Sequence, residues 1–189
     1  MIFRNAESSD CEALAHLHAL SWRRSYQGIL AQEFLDNCVE DDRRHIWRAR
    51  LADPKSETQL VRVAVEEAAI VAFVCVFLDQ DERWGALVDN VHVHPDLKGR
   101  GIGRQLMAHA VSWVIDRRPA SPLHLWVFEE NHSARAFYER FGGISVERSI
   151  HHAPDGNDVP AIRYVWSDLA KLVNELTSGQ QSDVLESNQ

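Results

Sequence analysis

The sequence predicts a single-domain α/β (α+β) fold with a central sheet of about seven strands. Short segments rich in Val, Ile and Phe alternate along the chain with segments whose apolar residues recur every three or four positions. These two spacings are typical of buried strands and of amphipathic helices, respectively. The chain has 189 residues, 45% of them hydrophobic and 25% charged, which is enough to bury one sizeable core.

The first third of the chain predicts one strand followed by helices. "MIFRNA" reads as a short edge strand, and "SSDCEALAHLHALSW" reads as a helix with Ser8 or Ser9 as its N-cap. A second helical region, "AQEFLDNCVEDDRRHIWRARLADP", is expected to break near residues 40–42 and to end before Pro54.

The centre of the chain predicts three strands. "TQLVRVAVEE" and "AIVAFVCVFLDQ" flank the tight turn "EEAA" as a hairpin, and the second of them is apolar on both faces, as in a central buried strand. "WGALVDNVHVH" follows as another strand and is closed by Pro95.

The last third predicts alternating helices and strands. "GIGRQLMAHAVSWVIDRR" is a helix that ends before Pro119. "PLHLWVFEEN" is a strand, "NHSARAFYERFGG" a helix, and "GISVERSI" with "VPAIRYVWSDL" a final strand pair. The predicted domain covers residues 1–168, and the polar residues 169–189 are expected to form a frayed tail.

Charge and composition exclude several classes of partner. The net charge of −8 argues against a broad nucleic-acid footprint. The opening "MIFRNAESSD" does not read as a signal peptide, and the apolar run 68–78 is too short for us to expect a membrane span. Cys11, Cys38 and Cys75 show no CxxC spacing, which favours reduced thiols. We therefore expect a cytoplasmic protein with no nucleic-acid or membrane partner.

The stretch "HPDLKGRGIGRQL" predicts an anion site. Alternating glycines allow positive φ and a close approach to the main chain, and the first turn of the following helix offers unpaired N–H groups. Three cations stand among them. Together these features describe a phosphate cradle, built from Lys98, Gly99, Arg100, Gly101, Ile102, Gly103 and Arg104.

Spacing excludes the two common nucleotide loops. The Walker A pattern G-x-x-x-x-G-K-[ST] is absent, and the pattern G-x-G-x-x-G fails because Arg104 or Leu106 would stand at its third glycine. At this stage the alternative is a glycine-rich turn with solvated cations.

Two motifs resemble the GNAT superfamily of N-acetyltransferases. In "VHVHPDLKGRGIGRQLM", Gly101 and Gly103 match the small positions of the pattern [QR]-x-x-G-x-[GA], which binds the coenzyme A pyrophosphate, whereas Lys98 replaces the usual Gln or Arg. The second motif, "NHSARAFYERF", matches N-x-x-A-x-x-F-Y at Asn131, Ala134, Phe137 and Tyr138.

The resemblance extends over residues 2–168 and is strongest over 85–143. It implies a mixed, mostly antiparallel sheet with helices on both faces, and a fourth and fifth strand that splay apart. It implies direct acetyl transfer from acetyl-CoA, as co-substrate, to a primary amine of a small molecule, peptide or protein, with no metal. A homodimer is possible. The alternative is a non-catalytic coenzyme A-binding module of the same fold.

The resemblance also assigns site residues. The Val93 N–H is expected to bind the thioester oxygen, and the Tyr138 hydroxyl to donate to the sulfur. Tyrosine has a pKa of about 10 and a free thiol one of about 8.5, so a hydrogen bond is favoured over full proton transfer. The expected cofactor-binding residues are Val91, His92, Val93, Lys98, Gly99, Arg100, Gly101, Ile102, Gly103, Arg104, Asn131, Ala134 and Tyr138.

The general base and the acceptor site are less defined. Asp89, His92 and Glu82 are all candidates for the base, and strand alternation places Asp89 in phase with Val91 and Val93. Relatives often carry a Glu slightly earlier, where this chain reads "ALV".

Substrate contacts are expected from the region between the first helices. There Trp22 and Tyr26 are four residues apart and therefore share one helix face. A metal site at His92 and His94 has no third ligand at an identifiable spacing.

Overall fold

A computed structural model describes residues 1–52 and 57–178 of the chain. Its strands are β1 (Ile2–Asn5), β2 (Gln59–Glu66), β3 (Ala69–Asp81), β4 (Gly85–Val93), β5 (Leu123–Phe128), β6 (Ile144–His152) and β7 (Asp158–Trp166). Its helices are α1 (Cys11–Ser25), α2 (Gln32–Asn37), α3 (Val39–Ala52), α4 (Ile102–Arg117), α5 (His132–Arg140) and α6 (Leu169–Ser178). None of the helices in these two ranges is long and apolar enough to cross a membrane.

The strands form one mixed, mostly antiparallel sheet in the order β1-β2-β3-β4-β5-β7-β6. Neighbouring strands are antiparallel except for the parallel pair β4–β5. That pair is in register at Ala86↔Leu123 and Leu87↔His124, and beyond these positions the two strands diverge. The predicted sheet, with β1 at its edge and a splayed central pair, is confirmed.

Helices cover both faces of the sheet, as predicted. Strand alternation explains the division, because neighbouring residues of β3 belong to different cores. Val74 and Val76 pack in the core that includes α4 and α6, whereas Phe73 and Cys75 pack in the core that includes α1 and α3. The predicted apolar stripe of α4 is buried against the first core at Ile102, Leu106, Met107, Ala110, Val111 and Val114.

The predicted starts of the N-terminal helices are wrong in two places. Neither Ser8 nor Ser9 caps α1, because both lie in a short 3₁₀ turn and the N-cap is Asp10, whose carboxylate bonds Arg4 at 2.6 and 2.8 Å. The break between α2 and α3 lies at Cys38 rather than at residues 40–42. Those acidic residues fall in the first turn of α3, where they stabilise the positive end of the helix.

The prediction of a frayed tail from residue 169 is wrong for residues 169–178. These residues form α6, and Leu169, Leu172 and Leu176 are buried in the core because they recur at helical spacing. Asp168 accepts the Lys171 N–H at 2.9 Å before the helix. The remaining predicted tail residues, 179–189, and the predicted stop at Pro54 lie outside the described residues.

Candidate active site

A cleft of about 1210 Å³ opens where β4 and β5 diverge. It exceeds the range of about 300–1,000 Å³ that is usual for one drug-sized ligand. Except for Glu82, the site residues predicted from the sequence line this cleft, namely Trp22, Tyr26, Asp89, Val91, His92, Val93, residues 98–104, Asn131, Ala134 and Tyr138. The fold therefore brings together residues that are more than a hundred positions apart in sequence.

The glycine-rich turn presents main-chain donors to the cleft. Gly99 and Gly101 have φ of +84° and +76°, a region that glycine enters without a steric cost. Gly101 is the N-cap of α4 and provides no side-chain cap, and the first bond within the helix runs from the Gln105 N–H to the Gly101 carbonyl. The N–H groups of the first turn before Gln105 are therefore left for a ligand.

The three cations of the turn have different surroundings. The Arg104 guanidinium folds over the turn, with Nη2 about 4.0 Å from the place a Cβ on Gly101 would occupy. Arg100 is held by Glu66, at 3.1 Å, and Lys98 donates to Ser25 Oγ at 3.2 Å. Arg104 is thus the cation best placed to bind an anion on the turn.

We expect the two glycines of the motif, Gly101 and Gly103, to differ in how well they tolerate substitution by alanine. Gly101→Ala puts a Cβ on a residue at positive φ, which costs about 1–2 kcal/mol and shifts the amides of the turn. Gly103→Ala is the matched control, because its Cβ would meet Val93 Cγ2 at an ordinary 3.5 Å. We expect Gly101→Ala to weaken coenzyme A binding about tenfold by calorimetry and Gly103→Ala less than threefold. Equal losses would show that the positive φ is not what the site requires.

The main chain of β4 also faces the cleft with free donors. The His94 N–H bonds the Val71 carbonyl at 2.8 Å, while Val93 stands opposite Ala72. In an antiparallel ladder this makes Val93 and, two residues earlier, Val91 the non-hydrogen-bonded positions, whose N–H groups point away from β3. They point toward the gap where β5 has diverged.

A β-bulge changes the phase of β4 at Asp89. The register runs from Cys75↔Asn90 to Val76↔Val88, so Asp89 has no partner on β3. A bulge inserts one residue and breaks the alternation of side chains along the strand. The prediction from simple alternation, that Asp89 lies in phase with Val91 and Val93, is therefore wrong.

The bulge directs Asp89 toward α3 rather than toward the reacting centre. The Asp89 carboxylate forms an ion pair with Arg50, and Arg50 also donates to Asn90 Oδ1 at 3.0 Å. One oxygen of this carboxylate therefore already accepts a guanidinium N–H. This arrangement disfavours Asp89 as the general base.

His92 belongs to a half-buried polar pair beneath the cleft. Its Nδ1 lies 2.8 Å from Ser21 Oγ, and its ring packs on His18 and Phe73 with centroid distances of 4.5 and 5.3 Å. Burial lowers the pKa of His92 to about 3 and lowers that of His18 well below its usual value. Both imidazoles are therefore neutral near pH 7.

Tyr138 presents a protonated hydroxyl to the cleft. The residue is 8% exposed, and its ring packs among Phe137, Tyr164 and Trp166. Burial, reinforced by Tyr26, raises the pKa of Tyr138 well above its usual value. Within the part of the chain that the structure describes, the hydroxyl has no hydrogen-bond partner, so its proton is free for a ligand.

Asn131, the first residue of the second motif, is the N-cap of α5. Its side chain caps α5 by accepting the Ala134 N–H at 3.2 Å. The cap fixes the start of the helix whose next two turns carry Ala134 and Tyr138 into the cleft. Asn131 therefore positions α5 and lines the cleft at the same time.

The remaining alternatives from the sequence have less support. Glu82 lies in the turn after β3 and does not line the cleft. Among residues 1–52 and 57–178, no three His, Cys, Asp or Glu side chains come together as a metal-binding group around His92 and His94 or elsewhere.

Sequence reasoning missed several residues of the cleft. Ser21, Trp126, Phe128 and Arg140 line it but were not among the predicted site residues. The alternation of "LHLWVF" does carry a signal, because it places Trp126 and Phe128 on the same face of β5.

The site and the fold agree with a known family. The model of the acetyltransferase (GNAT) family matches residues 11–143, which is more than two thirds of the chain. The chain belongs to the GNAT family of acetyltransferases. It is accordingly an acyltransferase enzyme.

Two sequence relatives are N-acetyltransferases by name. The chain is 24% identical over 177 residues to the N-acetyltransferase YuaI of Bacillus subtilis, with 89% of this chain and 94% of the relative covered. It is 27% identical over 143 residues to the L-amino acid N-acetyltransferase AaaT of Escherichia coli, with 75% and 82% covered.

Two solved structures with the same fold contain coenzyme A or acetyl-CoA. The PaiA N-acetyltransferase from Thermoplasma acidophilum, in complex with coenzyme A, aligns with a TM-score of 0.66 at 17% identity, covering 87% of this chain and 98% of that one. YncA of Salmonella typhimurium, with acetyl-CoA, aligns with a TM-score of 0.62 at 18% identity, covering 88% and 93%. At such identities the likeness establishes the fold alone.

Proposed function

We propose that the protein is an acetyl-CoA-dependent N-acetyltransferase that moves the acetyl group directly to a primary amine. The observation that carries this proposal is the continuous cleft from the uncapped start of α4, along the open edge of β4, to the Tyr138 hydroxyl. The cleft offers first an anion site, then free main-chain groups and finally a neutral hydroxyl donor. This is the order of the phosphates, the amide-containing arm and the thioester in acetyl-CoA.

The residues of the cleft fit coenzyme A. The first-turn amides of α4 and the Arg104 guanidinium form an anion site of main-chain donors and one full charge. The outward N–H group of Val91 can bond the amide-containing arm, which leaves that of Val93 for the thioester. Acetyl-CoA, when bound, supplies an activated acyl group, and the other chemical roles belong to the protein.

Two donors face the reacting atoms in this proposal. The Val93 N–H stabilises the carbonyl oxygen as negative charge develops on it. The amine nitrogen forms the new bond to the acyl carbon and loses one proton to water. The bond from that carbon to sulfur breaks, and coenzyme A leaves as a thiolate that the Tyr138 hydroxyl stabilises. Because burial raises the pKa of Tyr138, the hydroxyl remains a donor throughout the neutral range.

The proton of the incoming ammonium is assigned to water. Asp89 is ion-paired with Arg50, and His92 is a neutral imidazole whose pKa is too low for it to hold a proton near pH 7. The enzyme therefore uses the fraction of acceptor that is already the free amine. The proposed function names the acceptor only as a primary amine. The cytoplasmic location and the homodimer stay predictions.

The pH dependence of transfer tests this proposal. We expect kcat/KM for a primary alkylamine to rise by about tenfold per pH unit from pH 6 to 9, as the free amine increases below its pKa of about 10. No inflection is expected near pH 6.5, because the pKa of His92 is about 3. The measurement is release of coenzyme A thiol across a panel of amines.

Binding is measured in parallel on the same protein. Millimolar coenzyme A is expected to raise the melting temperature, since it binds the folded state alone. If coenzyme A stabilises the protein but no amine is acetylated, the chain is the non-catalytic coenzyme A-binding module. If coenzyme A has no effect on melting and no acetylated product forms, the proposal fails altogether.

A further inference from the structure

The chain has three tyrosines, and two of them bring hydroxyls without a partner to the cleft. One is Tyr138, which the proposed function assigns to the sulfur. The other is Tyr26, the C-cap of α1, whose hydroxyl has no hydrogen-bond partner within the described residues. The third, Tyr164, bonds Glu139 and Arg135 and does not line the cleft. The Tyr26 hydroxyl is therefore a second polar group that is free for a ligand.

The Tyr26 ring is held by contacts that do not use its hydroxyl. The ring packs edge-to-face on Trp22 of α1 and on Phe128 of β5, with centroid distances of 5.1 and 5.0 Å. The Tyr26 N–H bonds the Trp22 carbonyl at 2.9 Å. Trp22 Nε1 is enclosed without a partner, but the Tyr26 oxygen is not enclosed. The oxygen thus has a fixed position and unused capacity for hydrogen bonds.

The cleft passes through the sheet where β4 and β5 diverge. Successive side chains of a strand point to opposite faces, and the cleft is lined by residues of both faces. Val91 and Leu125 pack on the face that α4 covers, whereas Trp22 and Phe128 pack on the face that α1 covers. A ligand can therefore reach the gap between the strands from either side.

Tyr26 and Tyr138 stand on opposite sides of this gap. Tyr138 packs in the core that includes α4 and α6, and Tyr26 packs against the cluster that includes Trp22 of α1. Burial raises the pKa of Tyr138, and the nearby Tyr26 raises it further, so the two side chains lie close together. The proposed function places the phosphates and the sulfur of acetyl-CoA on the α4 side. The acceptor then reaches the acyl carbon from the α1 side, past Tyr26.

The charged groups around Tyr26 have other partners. Arg43 and Asp89 act on the pKa of Tyr26, and each is in an ion pair with another residue. Lys98 donates to Oγ of Ser25, the residue before Tyr26, at 3.2 Å. Burial raises the pKa of Tyr26 to about 12, so the hydroxyl keeps its proton in the neutral range. Its oxygen can accept a hydrogen bond there but does not take up a proton.

We propose that Tyr26 positions the acceptor: its hydroxyl oxygen accepts a hydrogen bond from one N–H of the incoming neutral amine. This inference rests on the proposed function. The lone pair of the nitrogen must point at the acyl carbon for the new bond to form, so the N–H groups point elsewhere and need an acceptor. Tyr26 thus binds the nitrogen from the α1 side, while Tyr138 binds the sulfur from the α4 side.

Phenylalanine variants of the three tyrosines test this assignment. Tyr26→Phe removes the hydroxyl and keeps the ring contacts with Trp22 and Phe128. We expect it to raise KM for the amine about five- to tenfold, to leave kcat within threefold and to leave KM for acetyl-CoA within twofold. Tyr138→Phe should instead lower kcat, and Tyr164→Phe should leave both KM values and kcat within twofold.

The measurement is release of coenzyme A thiol with the other substrate saturating. The probe is the best acceptor among propylamine, 2-phenylethylamine, spermidine and L-phenylalaninamide. In Tyr26→Phe the rise of kcat/KM with pH should keep its slope, because the hydroxyl does not take the proton of the amine. The affinity for coenzyme A by calorimetry and the melting temperature should match those of the wild-type protein.

The outcomes separate the two proposals. An unchanged KM for the amine in Tyr26→Phe, or a loss confined to kcat, overturns the inference while the proposed function stands. Equal losses for the amine and for acetyl-CoA also overturn it, because they would give the hydroxyl a structural role. If coenzyme A binds but the wild-type protein acetylates no amine, the proposed function fails and the inference falls with it.

Discussion

Tyr138→Phe is expected to lower kcat about 10- to 100-fold while the affinity for coenzyme A stays unchanged. The variant removes one hydroxyl that lines the cleft and keeps the ring that packs in the core. A hydrogen bond to a charged group contributes about 1.5–3 kcal/mol, and here the charge develops on the sulfur during the reaction. Each 1.36 kcal/mol lost from transition-state stabilisation is about a tenfold loss of rate.

Tyr164→Phe is the matched control for this variant. Tyr164 is a buried tyrosine of the same core, but its hydroxyl bonds Glu139 and Arg135 and does not line the cleft. We expect Tyr164→Phe to lower the melting temperature and to leave kcat within twofold. Unchanged kcat in Tyr138→Phe, measured by thiol release under saturating substrate, would remove Tyr138 from the mechanism.

Acidification from pH 6 to pH 5 is expected to lower the free energy of unfolding by about 2 kcal/mol through His18 and His92 together. Both have folded-state pKa values below their unfolded value of about 6.5. Below pH 6.5 the two histidines are therefore protonated in the unfolded chain and remain neutral in the folded chain. Stability is greatest above pH 6.5 and is lost as the pH falls.

Urea unfolding at pH 7.5, 6 and 5 checks this dependence. Replacing His18 or His92 by Gln should each remove about one proton from the linkage, and so about 1.4 kcal/mol per pH unit. His45→Gln is the control, because His45 is exposed on α3. An acid dependence that survives the loss of both buried histidines would assign it to other groups.

Local features of the site could be predicted from the sequence because their causes are local. The cap at Asn131 needs an acceptor three residues before an N–H, and the turn at Gly99 and Gly101 needs residues that tolerate positive φ. Both requirements are visible within a few adjacent positions. The splayed strands came from the family resemblance that these motifs carry.

The surroundings of Asp89, the predicted base, could not be predicted from adjacent positions of the sequence. The bulge at Asp89 is set by the register of β4 against β3, and its partner Arg50 is 39 residues earlier on α3. Strand alternation assumes a regular ladder, so one inserted residue was enough to reverse the predicted direction of a side chain.

The helix α6 illustrates a different kind of error. The composition after residue 170 is polar, but Leu169, Leu172 and Leu176 recur at helical spacing and are buried. The average polarity of a segment describes its solvent face, whereas the spacing of a few leucines decides whether it packs. Periodicity was the better signal here.

The divergence of β4 from β5 leaves an open strand edge in the middle of the sheet. Exposed strand edges invite pairing with other chains and are a common route to aggregation. This edge, however, lies at the floor of a cleft between α1 and α5, where Trp22 and Tyr138 stand on either side. A flexible ligand can reach it, whereas an extended strand of another molecule cannot lie along it without displacing those rings. The fold thus leaves the unpaired N–H groups of β4 accessible to small ligands and inaccessible to the strands of other protein chains.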